Sequence, residues 1–234
     1  MRARSAEAAR FVLRPAYAAQ PVASPGQRAR VLLAAGAVHL GLLALVVGPL
    51  WLASRSAGVL PAPGAEAESL ATSPLAFLVI APLLEELAFR GWLTGRIAAL
   101  RFAACGFLAM ALMLAGVALV PEHGRLLAWA GAGVALAGLA HWSLTRDRAD
   151  ARAVPPAFIR HFGAIVWAQA LLFGAIHLGN YDALASPLGL AVVLPQVLGG
   201  LLLAYIRTRA GLVAGMAYHA GYNAVVLAGG YLLA

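Results

Sequence analysis

Apolar residues run through most of this chain in long stretches, which are separated by short segments that carry most of the charges. Seven of these stretches are long enough to cross the roughly 30 Å hydrocarbon core of a bilayer as helices. They are predicted at residues 31–53, 74–95, 102–120, 126–144, 162–178, 187–206 and 211–233. Pro82 and Pro195 fall inside two of them, where neighbouring groups must satisfy the freed backbone. The pattern predicts an all-α, polytopic transmembrane helix bundle of about seven spans.

Composition supports a membrane protein and excludes an ordinary soluble domain. Hydrophobic residues make up 62% of the 234 residues and charged residues 11%, whereas a soluble domain carries about 25% charged residues. Residues 31–234 are therefore assigned to one transmembrane domain in contact with the lipid bilayer. Residues 1–30, rich in Ala, Arg and Pro, are expected to form a disordered basic cytoplasmic arm or a weak interfacial helix.

The net charge of +8 could suggest a nucleic-acid partner, but the distribution of the basic residues argues against one. All 17 are arginines, and fourteen of them lie in the N-terminal arm or in the loops after the second, fourth and sixth spans. The opposite loops hold only Arg55 and Arg125. The positive-inside rule therefore predicts a cytoplasmic N-terminus and an external C-terminus. An Arg-only, Ala- and Gly-rich chain of this kind is typical of a bacterial cytoplasmic (inner) membrane.

Two adjacent glutamates, Glu85 and Glu86, lie inside the second predicted span. Ionisable groups at membrane depth are costly unless they are partnered, and they mark functional sites. Glu86 and Arg90 are four residues apart and can pair on one face of a helix. Glu85 points about 100° away around the helix axis, where it can face a cavity and act as a general base. Alternatively, both glutamates and Arg90 form one network that holds helices together.

Two further spans carry polar groups one helical turn apart. Phe173 and His177 lie in the fifth span, and His219 and Asn223 lie in the seventh among small residues that leave room for a cavity. Either set alone could be a packing or interhelical hydrogen-bonding group. Together with Glu85 they supply a base for water and donors for an oxyanion, as peptide hydrolysis requires. A Glu, His, His set can equally ligate zinc, and the residues alone leave this choice open.

The three motifs together resemble one family. Residues 85–90 match EExxxR, residues 173–177 match FxxxH and residues 219–223 match HxxxN. In this order and in separate spans they resemble the type II CAAX prenyl endopeptidases, also called the CPBP or abortive-infection family of intramembrane proteases. The resemblance implies that Glu85 activates water, that His177 positions or protonates it, and that His219 and Asn223 hold the water and the oxyanion.

The same resemblance makes Glu86 and Arg90 supporting residues, and Phe173 is expected to wall the cavity. It also favours a glutamate-type mechanism with no cofactor over a zinc site at Glu85, His177 and His219. The expected activity is endopeptidase cleavage near the membrane-embedded or lipid-anchored segment of a protein or peptide substrate. A prenylated CAAX tail is the family's eukaryotic substrate. In a bacterium, a C-terminal sorting helix, a bacteriocin precursor or a membrane-anchored regulator fits better.

Two other functions stay open at this point. Intramembrane Glu, His and Arg also occur in proton relays, which would fit a proton-coupled transporter, although the chain lacks the internal repeats from which many transporters are built. A non-catalytic immunity protein could also retain the pocket. The predicted depths of His177 and Glu85 in the membrane do not agree. His177 is predicted about 22 Å from the inner end of its span, and Glu85 is predicted about 16 Å from the outer end of its own span. They meet only if the fifth span tilts or runs from near Ile165 past Tyr181.

Overall fold

The protein is described from a computed structural model, which covers residues 2–19, 21, 24–64 and 73–233, with side chains to residue 228. Most of these residues are helical, and within them the one extended pairing is an isolated antiparallel bridge between Pro63 and Tyr181. The prediction of an all-α, polytopic bundle is confirmed.

The helices are numbered in chain order, and two of them continue directly from π-helical segments. The α-helices are α1 Arg2–Leu13, α2 Pro25–Leu42, α3 Gly48–Ser56, α4 Ala81–Arg90, α5 Ile97–Ala118, α6 Gly124–Asp150, α7 Pro156–Arg160, α8 Phe162–Ile176, α9 Leu194–Ala210 and α10 Leu212–Leu233. The π segments Leu43–Val47 and Ala76–Ile80 lead into α3 and α4. Short 3-10 helices occupy Pro121–His123, His177–Asn180 and Pro187–Val193.

Five helical stretches of the described chain are long and apolar enough to cross a membrane: Pro25–Ser56, Ile97–Ala118, Pro121–Asp150, Phe162–Asn180 and Pro187–Ala210. They correspond to the first, third, fourth, fifth and sixth predicted spans. The seventh contributes a shorter apolar stretch, Leu212–Ala228, and the helix that carries Glu85 and Glu86 is not among the long ones. The chain is therefore an integral membrane protein, and the figure of seven crossings stays a prediction.

Helix α9 is the centre of the first of two compact units, which comprises Met1–Glu86 and His161–Ala234. It packs against α1, α2, α8 and α10, and every side chain from Leu201 to Thr208 is buried. A helix that is apolar on nearly all sides is expected to be buried. At Gly174 of α8 a Cβ would lie 2.4 Å from the Val197 side chain of α9, so glycine is what allows these two helices to approach so closely.

The second unit, Leu87–Arg160, is built on the hairpin of α5 and α6. Small residues line the contact between them: a Cβ at Gly138 of α6 would lie 2.5 Å from Cβ of Cys105 in α5. Such residues let membrane helices approach closely. At the end of α6, Asp150 accepts a hydrogen bond of 3.2 Å from the backbone N–H of Ala98. It thereby satisfies one of the N–H groups that the first turn of α5 leaves without an intrahelical partner.

The N-terminal arm, expected to be disordered or weakly helical, is helical over Arg2–Leu13. Ala8, Phe11 and Val12 are buried, because one face of α1 packs against α2 and α9. The Phe11 ring lies edge-on to Tyr205 of α9, with ring centroids 5.5 Å apart. The first part of this arm is thus a helix docked onto its own unit.

The fifth span differs from the one that the depth estimate required. Helix α8 begins at Phe162, not near Ile165, and it ends at Ile176 with a 3-10 turn to Asn180. It does not continue past Tyr181 because the chain there is held extended. The N–H of Gly64 donates to Asn180 O at 2.8 Å, and the N–H of Asp182 donates to Ala62 O at 3.0 Å.

Candidate active site

The imidazole of His219, on α10, contacts both glutamates of α4. Its Nδ1 lies 3.1 Å from Oε1 of Glu86, and its Nε2 lies 3.6 Å from Oε2 of Glu85. The Glu86 side chain is wholly buried, whereas 25% of the Glu85 side chain is exposed. The ring therefore has a fully buried carboxylate on one nitrogen and a partly accessible carboxylate on the other.

These contacts assign the hydrogen on the His219 ring. A carboxylate accepts hydrogen bonds, so Nδ1 must carry the hydrogen that it donates to Glu86. Nε2 then presents a lone pair toward Glu85 when the ring is neutral, or a second N–H when the ring is protonated. At 3.6 Å the Nε2–Oε2 separation exceeds a direct hydrogen bond, and it is a distance at which a bridging water is the usual alternative.

Gly215 brings the backbone of α10 against Glu86. A Cβ at this position would lie 3.1 Å from Oε2 of Glu86, which is tighter than ordinary van der Waals contact, so either Glu86 or the helix would have to shift. Sequence analysis did not select Gly215. The available signal was its spacing, since it precedes His219 by one helical turn.

The side chain of Asn223 binds the backbone of the segment that precedes α4. Its Nδ2 donates a hydrogen bond of 2.9 Å to the carbonyl oxygen of Phe77, which lies in the π segment Ala76–Ile80. Phe77 was also missed by sequence analysis. The signal that could have found it is Pro82, five residues later, because a proline withdraws one backbone donor from the helix.

Phe173 contacts both imidazoles of the predicted site. Its ring centroid lies 4.6 Å from that of His177 and 6.1 Å from that of His219. The Nδ1–H of His177 donates to the Phe173 carbonyl oxygen at 2.7 Å, which leaves Nε2 as the basic nitrogen of the neutral ring. The structure thus brings Glu85, Glu86 and His219 into direct contact, and connects His177 to them through Phe173.

Arg90 belongs to the second unit. Its side chain is wholly buried, and its guanidinium lies 5.6 Å from the centroid of the Phe89 ring. The pairing of Arg90 with Glu86 stays a prediction.

A second polar cluster lies beside the His219 face of α10. His39 of α2 has Nδ1 3.0 Å from the Tyr218 hydroxyl and is stacked on Tyr222, with ring centroids 4.7 Å apart. No ionisable residue lies three or four positions from His39 on its own helix. Its partners come from α10, where Tyr218 and Tyr222 each precede one residue of the HxxxN motif.

The choice between a metal-free and a zinc mechanism is not tested by the geometry of the described residues. Within them, no group of three or more His, Cys, Asp or Glu side chains is arranged to hold a metal ion. The hydrogen bond from Nδ1 of His177 to the Phe173 carbonyl is compatible with ligation through Nε2, so the zinc set of Glu85, His177 and His219 stays an untested alternative.

Comparison with known proteins gives one match. A model of the type II CAAX prenyl endopeptidase Rce1-like family matches residues 67–225, more than half of the chain. That range contains the EExxxR, FxxxH and HxxxN motifs, all of α4 and the part of α10 that carries His219 and Asn223. Neither a curated protein nor a solved structure matches the chain.

Proposed function

The chain belongs to the type II CAAX prenyl endopeptidase Rce1-like family, and from this membership we propose that it is an intramembrane endopeptidase whose attacking water is activated by Glu85. The observation that carries the proposal is the position of the His219 ring, 3.1 Å from Glu86 and 3.6 Å from Glu85. Glu85 is the partly exposed carboxylate of the two, so it is the one that a water molecule and a peptide can reach.

In the proposed reaction, Glu85 accepts a proton from water while the water oxygen attacks the carbonyl carbon of the scissile peptide bond. The carbonyl π electrons move onto the oxygen and give a tetrahedral oxyanion. When this intermediate collapses, the C=O bond re-forms, the C–N bond breaks, and the proton held by Glu85 passes to the leaving nitrogen. The products are a new carboxyl terminus and a new amine, and Glu85 is again a carboxylate.

The neighbouring side chains are assigned by what they contact. Glu86 fixes His219 in the tautomer that carries hydrogen on Nδ1, so that Nε2 is directed at the water beside Glu85; a carboxylate orients the histidine of a Ser-His-Asp triad in the same way. We assign His177, whose Nδ1 is held by the Phe173 carbonyl, to position the water or to protonate the leaving nitrogen through Nε2. The oxyanion role that the resemblance gives Asn223 stays a prediction.

The proposed substrate is a membrane-anchored protein or peptide that is cut near its membrane-embedded segment. Family membership supports a substrate in the membrane, and the arginine-rich composition supports a bacterial cytoplasmic membrane as the location. A C-terminal sorting helix, a bacteriocin precursor or a membrane-anchored regulator fits that setting better than a prenylated tail.

Cleavage of membrane peptides by the purified protein tests the proposal. Wild type and Glu85→Gln are compared on a panel that includes a farnesylated CAAX peptide and peptides with a C-terminal apolar helix. Glutamine keeps the shape of the side chain but cannot take a proton from water, so kcat should fall by about 10²- to 10⁴-fold. Glu122→Gln is the matched control, because this glutamate is exposed and should leave cleavage unchanged.

Two results would contradict parts of the proposal. Cleavage by Glu85→Gln at the wild-type rate would remove Glu85 as the base. If the whole panel stays uncut while a proton or solute flux depends on Glu85, the transporter alternative gains. The metal-free mechanism predicts that cleavage survives a chelator, and loss of cleavage that zinc restores would overturn it.

A further inference from the structure

The helix that carries the two glutamates contains an irregular turn near its N-terminal end. In the π segment Ala76–Ile80 the backbone N–H of Ala81 donates to the Ala76 carbonyl, five residues earlier. If the next residue followed the same five-residue spacing, the Phe77 carbonyl would accept from the N–H of residue 82. Residue 82 is a proline, which has no N–H. The π segment and Pro82 together therefore remove the main-chain donor that Phe77 would otherwise have.

Asn223 supplies a donor at this position from another helix. Its Nδ2 is 2.9 Å from the Phe77 carbonyl oxygen. Membrane helices tolerate proline where neighbouring side chains satisfy the freed backbone group, and the part-buried amide of Asn223 is placed to do so here.

The same face of α10 makes three contacts with this helix, at successive turns. Gly215 lies against Glu86, His219 contacts Glu86 and faces Glu85, and Asn223 holds Phe77. These residues are four apart in sequence, so they project from one side of α10. Asn223 is thus the last of three residues on one side of α10, and the other two contact or face the carboxylates.

We propose that Asn223 is a positioning residue, which acts by stabilising the π turn and so sets the rotation of the glutamates against His219. The role in cleavage rests on the proposed function of Glu85. A π turn holds one residue more than an α turn, and one residue corresponds to about 100° of rotation around the helix. Loss of the π turn would therefore rotate Glu85 and Glu86 relative to the chain before it. This differs from the oxyanion contact that the family resemblance implies for Asn223.

A double-mutant cycle between Asn223 and Pro82 separates the two roles. Asn223→Ala alone should lower kcat by about 10- to 100-fold on a peptide that the wild type cleaves. Pro82→Ala restores a backbone N–H next to the π turn. In that background, Asn223→Ala should cost less than about threefold, because Phe77 no longer depends on the amide.

Pro49→Ala is the matched control. Pro49 also follows a π segment, Leu43–Val47, in which the N–H of Gly48 donates to the Leu43 carbonyl, five residues earlier. The described hydrogen bond of Asn223 is made to Phe77, in the other π segment. In the Pro49→Ala background, Asn223→Ala should cost as much as it does in the wild type.

Melting temperature provides a second readout, since Pro82→Ala can itself turn the glutamates and stop cleavage. Asn223→Ala should lower the melting temperature by about 2–4 °C in the wild-type background, and should have little effect after Pro82→Ala. The proposal is overturned if Asn223→Ala lowers kcat equally in the wild-type and Pro82→Ala backgrounds. If Pro82→Ala is inactive, equal losses of melting temperature in the two backgrounds overturn it instead. If no peptide in the panel is cleaved, the proposed function fails, and the melting cycle still decides whether Asn223 supports Phe77.

Discussion

The two nitrogens of His219 face two carboxylates that differ in burial, and this difference is the basis of the roles proposed for them. Glu86 is wholly buried and accepts from Nδ1, whereas Glu85 is partly exposed and faces Nε2. A buried carboxylate on a histidine holds the ring in one tautomer and orientation. At the residue scale the site is therefore a row of Glu86, His219 and Glu85, and not an isolated base.

Replacement of Glu86 by glutamine tests this row. Glutamine can present either its carbonyl oxygen or its NH₂ group to Nδ1, so it no longer fixes the hydrogen on Nδ1, and Nε2 is no longer held as the lone-pair nitrogen toward the water beside Glu85. We expect kcat to fall by about 10²-fold or more with KM little changed, measured on the peptide used for Glu85→Gln. A kcat within twofold of wild type would show that Glu86 does not act through His219, and Glu122→Gln again serves as the exposed control.

Sequence alone could select the ionisable residues of the candidate site but not all of their partners. Glu85, Glu86 and His219 were predicted because charged groups are rare in apolar spans, and the structure places them in contact. Glu86 was paired with Arg90 because that pairing is local, four residues along one helix. The contact with His219 connects two helices far apart in the chain. Phe77 could not be selected as a side chain, because what it contributes is a backbone carbonyl.

The positions of the long helices agree closely with the apolar pattern of the sequence, but the residues at which they begin and end do not. Five predicted spans reappear as long helices, since long apolar runs leave few other structures in a bilayer. The end of α8 depends instead on backbone pairing between residues 180–182 and 62–64, which no periodicity records. Helix α1 was not predicted with certainty, because its stability comes from contacts with α2 and α9 rather than from its own sequence.

Glu7 connects α1 to α9 and makes this docking sensitive to pH. It lies 2.8 Å from Nε of Arg209 and accepts a second hydrogen bond, of 2.6 Å, from Arg4. Burial alone would raise the pKa of Glu7, but the hydrogen bonds from Arg209 and Arg4 lower it below its usual value. A lowered pKa means that the contact stabilises docking above about pH 4 and that this contribution is lost as the pH falls through the folded-state pKa.

Glu7→Gln should loosen α1 without unfolding the protein. Partly exposed ion pairs contribute up to about 1 kcal/mol, so amide hydrogen exchange at Phe11 and Val12 should become about two- to fivefold faster. The wild type should show the same increase once the pH has fallen through the lowered pKa of Glu7. Arg10→Gln is the control on the same helix, since Arg10 is exposed. Equal exchange in wild type and Glu7→Gln would assign the docking to apolar burial alone.

At the scale of the whole molecule, the number of crossings depends on the helix that carries the catalytic candidates. Its described part, residues 74–90, rises only about 25 Å, less than the roughly 30 Å hydrocarbon core. A short helix can still cross where the bilayer thins around it. If it did not cross, the arginines that follow it, Arg96 and Arg101, would lie on the side of Arg55, against the positive-inside rule. The charge pattern therefore favours a crossing.

Labelling of the chain ends decides between odd and even numbers of crossings. In a Cys105→Ala background, which removes the one native cysteine, an impermeant maleimide is applied to intact cells expressing either Ala9→Cys or a protein with a cysteine added after Ala234. With seven crossings, the C-terminal cysteine is labelled in intact cells. The cysteine of Ala9→Cys is then labelled only after the cells are opened, because the arginines of the N-terminal arm place it in the cytoplasm. If the short helix does not cross while the five long helices and α10 do, the count is even, and both cysteines are protected until lysis. That result would remove the glutamate helix from the set of spans, and with it the premise that its carboxylates lie at membrane depth.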